Sequence, residues 1–292
     1  MNILLAGAGG FLGRHVAGAL VEAGHHVVPV SRRHGVDFAR MRVPADWRGW
    51  LADMDAVINC VGTIAETRSQ TFEALHAQAP CVLFRACAEA EVRRVVQVSA
   101  LGADGQAFSA FHLSKRAADD CLRGLDLDWF VLRPSLVYGP GGQSAALFMR
   151  LAAAPMIPVI GDGQQVVQPV HVSDVVAAVL HCLESSESCQ TLDIVGPQRF
   201  TFVEWLQTMR HAQGKPHGAV LRVPPALVRG AARWLRHVWP MVQPDNLRML
   251  AQGYVADPAP LARFLGRAPT PVRPALFFSA TSLQQAPEGQ PS

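Results

Sequence analysis

The chain is expected to fold as an α/β protein: a doubly wound parallel sheet carrying a smaller, mainly helical C-terminal lobe. Three observations lead there. A glycine triplet at three-residue spacing follows an apolar strand at the very start. The first half then alternates short apolar runs with helical patterns, the signature of strand–helix–strand units. After residue 134 proline and glycine break the pattern.

Taken in order, residues 3–6 (ILLA) are short, apolar and bounded by glycine, as a strand buried on both faces should be. Gly7, Gly10 and Gly13 come next, and Phe11, Leu12, Val16, Leu20 and Val21 set a helical period. The first glycine turns the chain, the second lets backbone approach a phosphate, and the third lets helix pack on strand. The helix start supplies free N–H groups and the positive end of its dipole. Residues 26–30 read as the second strand, 47–52 as a short helix and 55–60 (DAVINC) as the third strand. A helix over 71–90, a strand over 94–99, a helix over 111–125 and a strand over 129–132 follow. In such a sheet ligands bind outside the carboxyl ends of the strands. That gathers the glycine turn Gly7–Gly13, Ser31 with Arg32 and Arg33, Asn59 with Cys60, Val61 and Gly62, Ser99 to Leu101, and Pro134 with Ser135 around one crevice.

The expected organisation is a dinucleotide-binding Rossmann core over 1–133 and a substrate or partner lobe over 134–278. Residues 169–183 read as strand then helix, so 169–195 is expected to return to the core. Residues 197–278 read as mostly helical, and the polar tail 279–292 as disordered.

With 292 residues, half of them hydrophobic, the core is substantial. A net charge of +3 provides no field for nucleic acid. The six cysteines show no metal-ligand spacing with one another or with histidine, and read as buried or half-buried free thiols of a reducing compartment. No signal peptide precedes the first strand and no apolar run is long enough to span a membrane, so a cytoplasmic protein is expected.

Where folds of this type that bind NAD carry an acid after the second strand, this chain has Ser31, Arg32 and Arg33. Two guanidinium groups and a hydroxyl suit a 2′-phosphate, at about 1.5–3 kcal/mol per charge-assisted hydrogen bond. NADP(H) is therefore the preferred cofactor and NAD(H) the second; a solvated basic loop is the plain alternative.

The glycine spacing, Ser99, Lys115, Arg133-Pro134-Ser135-Leu136-Val137-Tyr138-Gly139-Pro140 and the later Pro169-Val170-His171-Val172-Ser173-Asp174-Val175 together resemble the extended short-chain dehydrogenase/reductase superfamily. DAVINCVG, VVQVSALGAD and LRPSLVYGPGG are most similar to its atypical branch, which includes the nucleotide-binding accessory subunit of mitochondrial complex I and its bacterial relatives. The resemblance covers roughly residues 1–275. It implies that Lys115 holds the nicotinamide ribose and that Ser99 binds a carbonyl or hydroxyl; a solvated helix lysine and a turn-capping serine are the structural alternatives.

One element departs from that pattern. The superfamily's tyrosine stands four residues before the lysine, and here that residue is Phe111. Phenylalanine has no proton to give, and positioned acid–base catalysis is worth about 10²–10⁴-fold. His112 is rotated about 100° from Phe111 on a helix and reads as an ordinary, partly exposed histidine rather than a substitute donor. Tyr138 reads as packing or lining the lobe, and Ser173 or Asp174 as capping a helix.

Residues 205–292 hold ten Lys and Arg against three acids, and 205–244 hold no acid. A helix over 226–239 with Arg229, Arg233 and Arg236 on one face would suit an anionic membrane surface. An ordinary lobe helix is the other reading. Segment 222–239 is thus the candidate contact with a membrane or a respiratory complex. The function expected is that of an NAD(P)-binding, oxidoreductase-like protein: an accessory or sensor protein, or a reductase of a lipophilic, quinone-like substrate. A nucleotide-sugar epimerase or dehydratase, and a scaffold with a relic pocket, are the alternatives.

Overall fold

The computed structural model describes residues 1–67, 70–224, 226–227 and 244–279. Strands β1 (Asn2–Ala6), β2 (His26–Val30), β3 (Ala56–Asn59), β4 (Arg94–Val98) and β5 (Asp128–Pro134) join the later strand Gln190–Ile194 in one sheet. Its order is β2-β1-β3-β4-β5 and then Gln190–Ile194, with every pair parallel. The order in which successive strands are laid down reverses between β1 and β3, so the binding crevice belongs at their carboxyl ends.

Period-two alternation sends successive side chains to opposite faces. Ile3, Leu5, Ile58, Val96 and Phe130 face one layer, and Leu4, Ala6, Val57, Val95 and Val131 the other. Helix α1 (Phe11–Glu22) packs on the first face through Val16 and Leu20. On the second lie α2 (Arg48–Leu51), α3 (Ala79–Glu89) and α4 (Ala110–Arg123), with Leu51, Leu83, Phe84 and Leu122 inward. The helix expected over 71–90 is divided: Glu73–Gln78 is a π-helical turn running into α3.

Beyond β5 come β6 (Val137–Tyr138), α5 (Gln143–Ala153), β7 (Met156–Ile160), β8 (Val166–Val167) and β9 (Val170–His171). Helix α6 (Val172–Glu184) and β10 (Gln190–Ile194) carry the chain back to the main sheet: α6 packs on α1, and β10 pairs with β5. The His171 side chain, not Ser173 or Asp174, caps α6 by accepting from Ser173 N at 3.3 Å. Asp174 is fully buried and bound instead to Arg267 (2.8 Å) and to the Thr270 amide and hydroxyl.

The remainder is less helical than its sequence suggests. β11 (Phe200–Thr201) pairs with β8, and β12 (Ala219–Val223) runs parallel to β7. Helix α7 (Phe202–Ala212) starts on a reciprocal Thr201–Glu204 capping box. Helices α8 (Pro244–Gln252) and α9 (Ala259–Leu265) follow. Most of the basic segment 222–239, and the tail after residue 279, lie outside the described residues. Among the described residues no helix is long and apolar enough to cross a membrane.

The lobe has its own core, in which fully buried Trp205 meets Tyr138, Phe200 and Phe277 at ring separations of 5.4–5.6 Å. Tyr138 is 1% exposed and packs there. Trp205→Ala is expected to cost about 3–5 kcal/mol, read as a lower urea midpoint.

Candidate functional site

Gly7 sits in the left-handed region at φ +81°. A Cβ on it would lie 2.7 Å from the Cys60 carbonyl carbon and 2.8 Å from Val61 N, so the ends of β1 and β3 touch here. The Gly10 amide donates to Gly7 O at 2.9 Å, and a Cβ on Gly13 would collide with that same carbonyl. Close contact between β1 and the first turn of α1 therefore requires glycine. Gly10 precedes α1, no side chain caps the helix, and no acid stands in its first turn. Bare backbone and a positive helix end fit a pyrophosphate. Phe11 lies against the turn at Gly142, and Arg14 against Gly141, so turn 139–142 rests on the first turns of α1. Leu12 packs on the core beneath.

Ser31 and Arg33 flank this turn: a Cβ on Gly9 would lie 3.3 Å from Ser31 Oγ and 3.8 Å from Arg33 Cδ. Ser31 Oγ shares a hydrogen bond with His34 Nδ1 at 2.7 Å. Arg32 and Arg33 are exposed and make no ion pair among the described residues. The nearest acid along the chain, Asp37, is matched by Arg40 at 3.4 Å.

The floor of the crevice is β3, β4 and α4. Lys115 is 4% exposed, and its ammonium donates to the carbonyls of Val61 and Val98, both at 3.0 Å. Burial draws it down to about 8, with Asp119 pulling the other way. Gly62 lies over it; a Cβ there would be 3.4 Å from Nζ. Burial pushes the neighbouring Cys60 thiol up to about 12. Ser99 is buried and donates to Asp119 Oδ2 at 2.5 Å, so toward a substrate its oxygen is left only to accept. Pro134 ends β5, and the Ser135 hydroxyl donates to Gln168 O at 2.5 Å.

Phe111 occupies an aromatic nest, with ring centroids 5.7 Å from Phe72, 5.4 Å from His76 and 5.3 Å from His112. His112 is 2% exposed rather than partly exposed, because the lobe covers it. Tyr254 lies on Gly102 and reaches His112 Nδ1 through its hydroxyl at 3.3 Å, beside Ser109 Oγ at 3.1 Å. Burial holds His112 down to about 4, so it is neutral at pH 7.

Three further residues shape the floor; of these His76 and Asp119 carry no motif, while Asn59 lies in the DAVINCVG stretch. His76 is buried, pushed down to about 2 by burial and by Lys115, and accepts from Thr63 N at 3.0 Å. Its other ring nitrogen meets Ser114 Oγ at 3.2 Å, tying the loop after β3 to α4. Asn59 donates to Gln97 and accepts from Val61 N at 3.1 Å, which fixes the turn under Gly62. Asp119 is held up to about 6 by burial, against the Ser99 hydrogen bond. A carboxyl whose folded pKa is raised contributes stability that is full below its ordinary value of about 3.9 and is lost as pH rises through 6. Between pH 4 and 6 the wild type is therefore expected to lose up to about 3 kcal/mol relative to Asp119→Asn, compared by urea midpoints.

The family model for the NAD dependent epimerase/dehydratase family matches residues 3–195. A ceramide reductase from Caulobacter vibrioides is 28% identical over 243 residues, which are 78% of this chain and 76% of that protein. NADH dehydrogenase (ubiquinone) 1 alpha subcomplex subunit 9 of mouse (Mus musculus) mitochondria is 27% identical over 232 residues, 72% of this chain and 62% of that subunit. The structure of UDP-glucuronic acid 4-epimerase from Bacillus cereus, in complex with UDP-glucuronic acid and NAD, superposes with a TM-score of 0.74. It covers 95% of this chain and 96% of that one at 16% identity, a likeness of fold. Matching sequence over the whole sheet, together with the glycine cradle, places the chain: it belongs to the NAD dependent epimerase/dehydratase family.

Proposed function

We propose that the protein holds a nicotinamide dinucleotide, NADPH in preference to NADH, in an accessory or sensing role rather than for rapid turnover. One observation carries the reading: the cradle of Gly7, Gly10, Gly13 and Lys115 is complete, while Phe111 stands where a phenol would deliver the proton. The side chains beside it do not supply that proton readily, since Ser99 donates to Asp119 and buried His112 is held neutral. A bound nicotinamide supplies a hydride; Gly10 and the start of α1 would take its pyrophosphate, Lys115 its ribose, and Arg32 with Arg33 a 2′-phosphate. The mouse relative, a named subunit of NADH dehydrogenase, supports an accessory role. In that role the basic segment 222–239 would be the contact with a larger complex or an anionic membrane.

A second reading, reduction of a lipophilic carbonyl or quinone, is favoured by the relative named a ceramide reductase. Steady NADPH consumption driven by such a substrate would establish it over the accessory role.

The cofactor preference is tested by the double variant Arg32→Ala/Arg33→Ala. Wild type is expected to bind NADPH at least about tenfold more tightly than NADH, from one or more charge-assisted hydrogen bonds of about 1.5–3 kcal/mol. The double variant is expected to bind the two alike, followed by nucleotide fluorescence. An unchanged ratio would remove the arginines from the site.

A further inference from the structure

Cys81 and Cys121 face each other across α3 and α4. Cys81 Sγ donates to the carbonyl of Ala117 at 4.0 Å, one helical turn before Cys121, which brings the two thiols close enough to influence each other's titration. Both are half-buried, whereas Cys87 and Cys182 are fully enclosed. The neighbouring Cys81 thiol and the Arg85 guanidinium draw the Cys121 thiol down to about 7, while the neighbouring Cys121 and burial push Cys81 up. Reactivity toward peroxide follows thiolate character and access. One sulfur of this pair is therefore primed as a nucleophile, and a second is in place to resolve it.

We infer that Cys81 and Cys121 form an oxidisable dithiol, which hydrogen peroxide converts to an intrachain disulfide bridging α3 and α4. The Cys121 thiolate attacks one peroxide oxygen; the O–O bond breaks, an S–O bond forms, and hydroxide leaves. The Cys81 sulfur then attacks the sulfenic sulfur. The S–O bond breaks, the oxygen leaves as water, and the S–S bond forms. Two electrons and two thiol protons pass to the peroxide, giving two waters, and a dithiol reductant reverses the change.

The bridge would fasten the two elements that carry the crevice wall. Lys115 lies six residues before Cys121 on α4, about 9 Å along the axis. Phe72, just before the π turn that runs into α3, and His76 on it precede Cys81, and both pack on Phe111. Cys189 is exposed and its thiol bonds to Leu127 O at 3.7 Å rather than to either thiol of the pair, so it serves as the internal control.

The test is peroxide titration of the full chain, followed by alkylation, non-reducing peptide mapping and counting of free thiols after denaturation. The expected result is a fall from six free thiols to four, with a Cys81–Cys121 linked peptide that dithiothreitol removes. Cys81→Ser and Cys121→Ser should each abolish that peptide, and Cys189→Ser should keep it. Mapping the wild type needs no variant to fold. Oxidation that stops at Cys121 sulfinic acid, a link through Cys189 between two molecules, or six retained thiols would each overturn the inference.

Discussion

Gly13→Ala is expected to abolish nucleotide binding while Gly18→Ala, five residues on in the same helix, leaves it intact. A Cβ on Gly13 falls on the Gly7 carbonyl and comes within 2.8 Å of the Gly7 carbonyl carbon and 2.9 Å of Ala8 Cα. All of these are backbone atoms, so no rotamer relieves the clash. Helix α1 must draw away from β1, and the amides that would meet the pyrophosphate move with it. Loss of affinity by about 100-fold or more, roughly 2.7 kcal/mol, is expected, together with a folding cost of about 1–3 kcal/mol. A Cβ on Gly18 meets nothing within 4 Å. There the substitution removes only the helix penalty of glycine and should stabilise by about 0.5–1 kcal/mol. Calorimetric titration with NADPH, beside thermal melts of both variants, separates the two effects. Equal affinity in the two variants would contradict the cradle.

The second large effect is a gain. Phe111→Tyr places a phenol one helical turn before Lys115, on the same face of α4. An adjacent ammonium favours the phenolate, which is the pKa adjustment a proton donor near neutrality needs. With a reactive α-diketone as probe, NADPH oxidation is expected to rise by about 10²–10⁴-fold over wild type, or roughly 3–5 kcal/mol of barrier. A second substitution, Lys115→Met, is expected to remove the gain. The new hydroxyl must find room among Phe72, His76 and His112, so the comparison is made on protein whose melting temperature has been checked. Wild-type turnover already as fast as the variant's would mean that Phe111 is no handicap and that the proton has another source.

Local sterics made much of this molecule legible. Gly7, Gly10 and Gly13 were readable because each meets a constraint set within a few residues: a left-handed turn, a close amide, a helix against a strand. His26–Val30 reads as a strand from the close-set Val27, Val28 and Val30, and Pro29 is tolerated there because the strand lies at the sheet edge. What depended on distant partners was not. Tyr254 reaches His112 across 142 residues, and nothing local to either marks the pairing. His112 therefore reads as partly exposed from its local sequence, although the lobe buries it. β7 and β12 pair over a long separation, and β7 contains Pro158, so each alone reads as irregular. The π turn Glu73–Gln78 keeps its apolar residues close to helical spacing, so periodicity does not separate it from α3. Cys189, expected to be at least half-buried, is exposed at the start of β10 because the strand's burial begins beyond it. Ser99 was legible as a strand-end serine but not as a donor to Asp119, twenty residues away on α4.

The most direct measurement is calorimetric titration of the purified, nucleotide-free wild type with NADPH and with NADH. Saturable binding at one site, tighter for NADPH, is the result expected of a complete cradle flanked by Arg32 and Arg33. A folded protein that takes up neither nucleotide would contradict it.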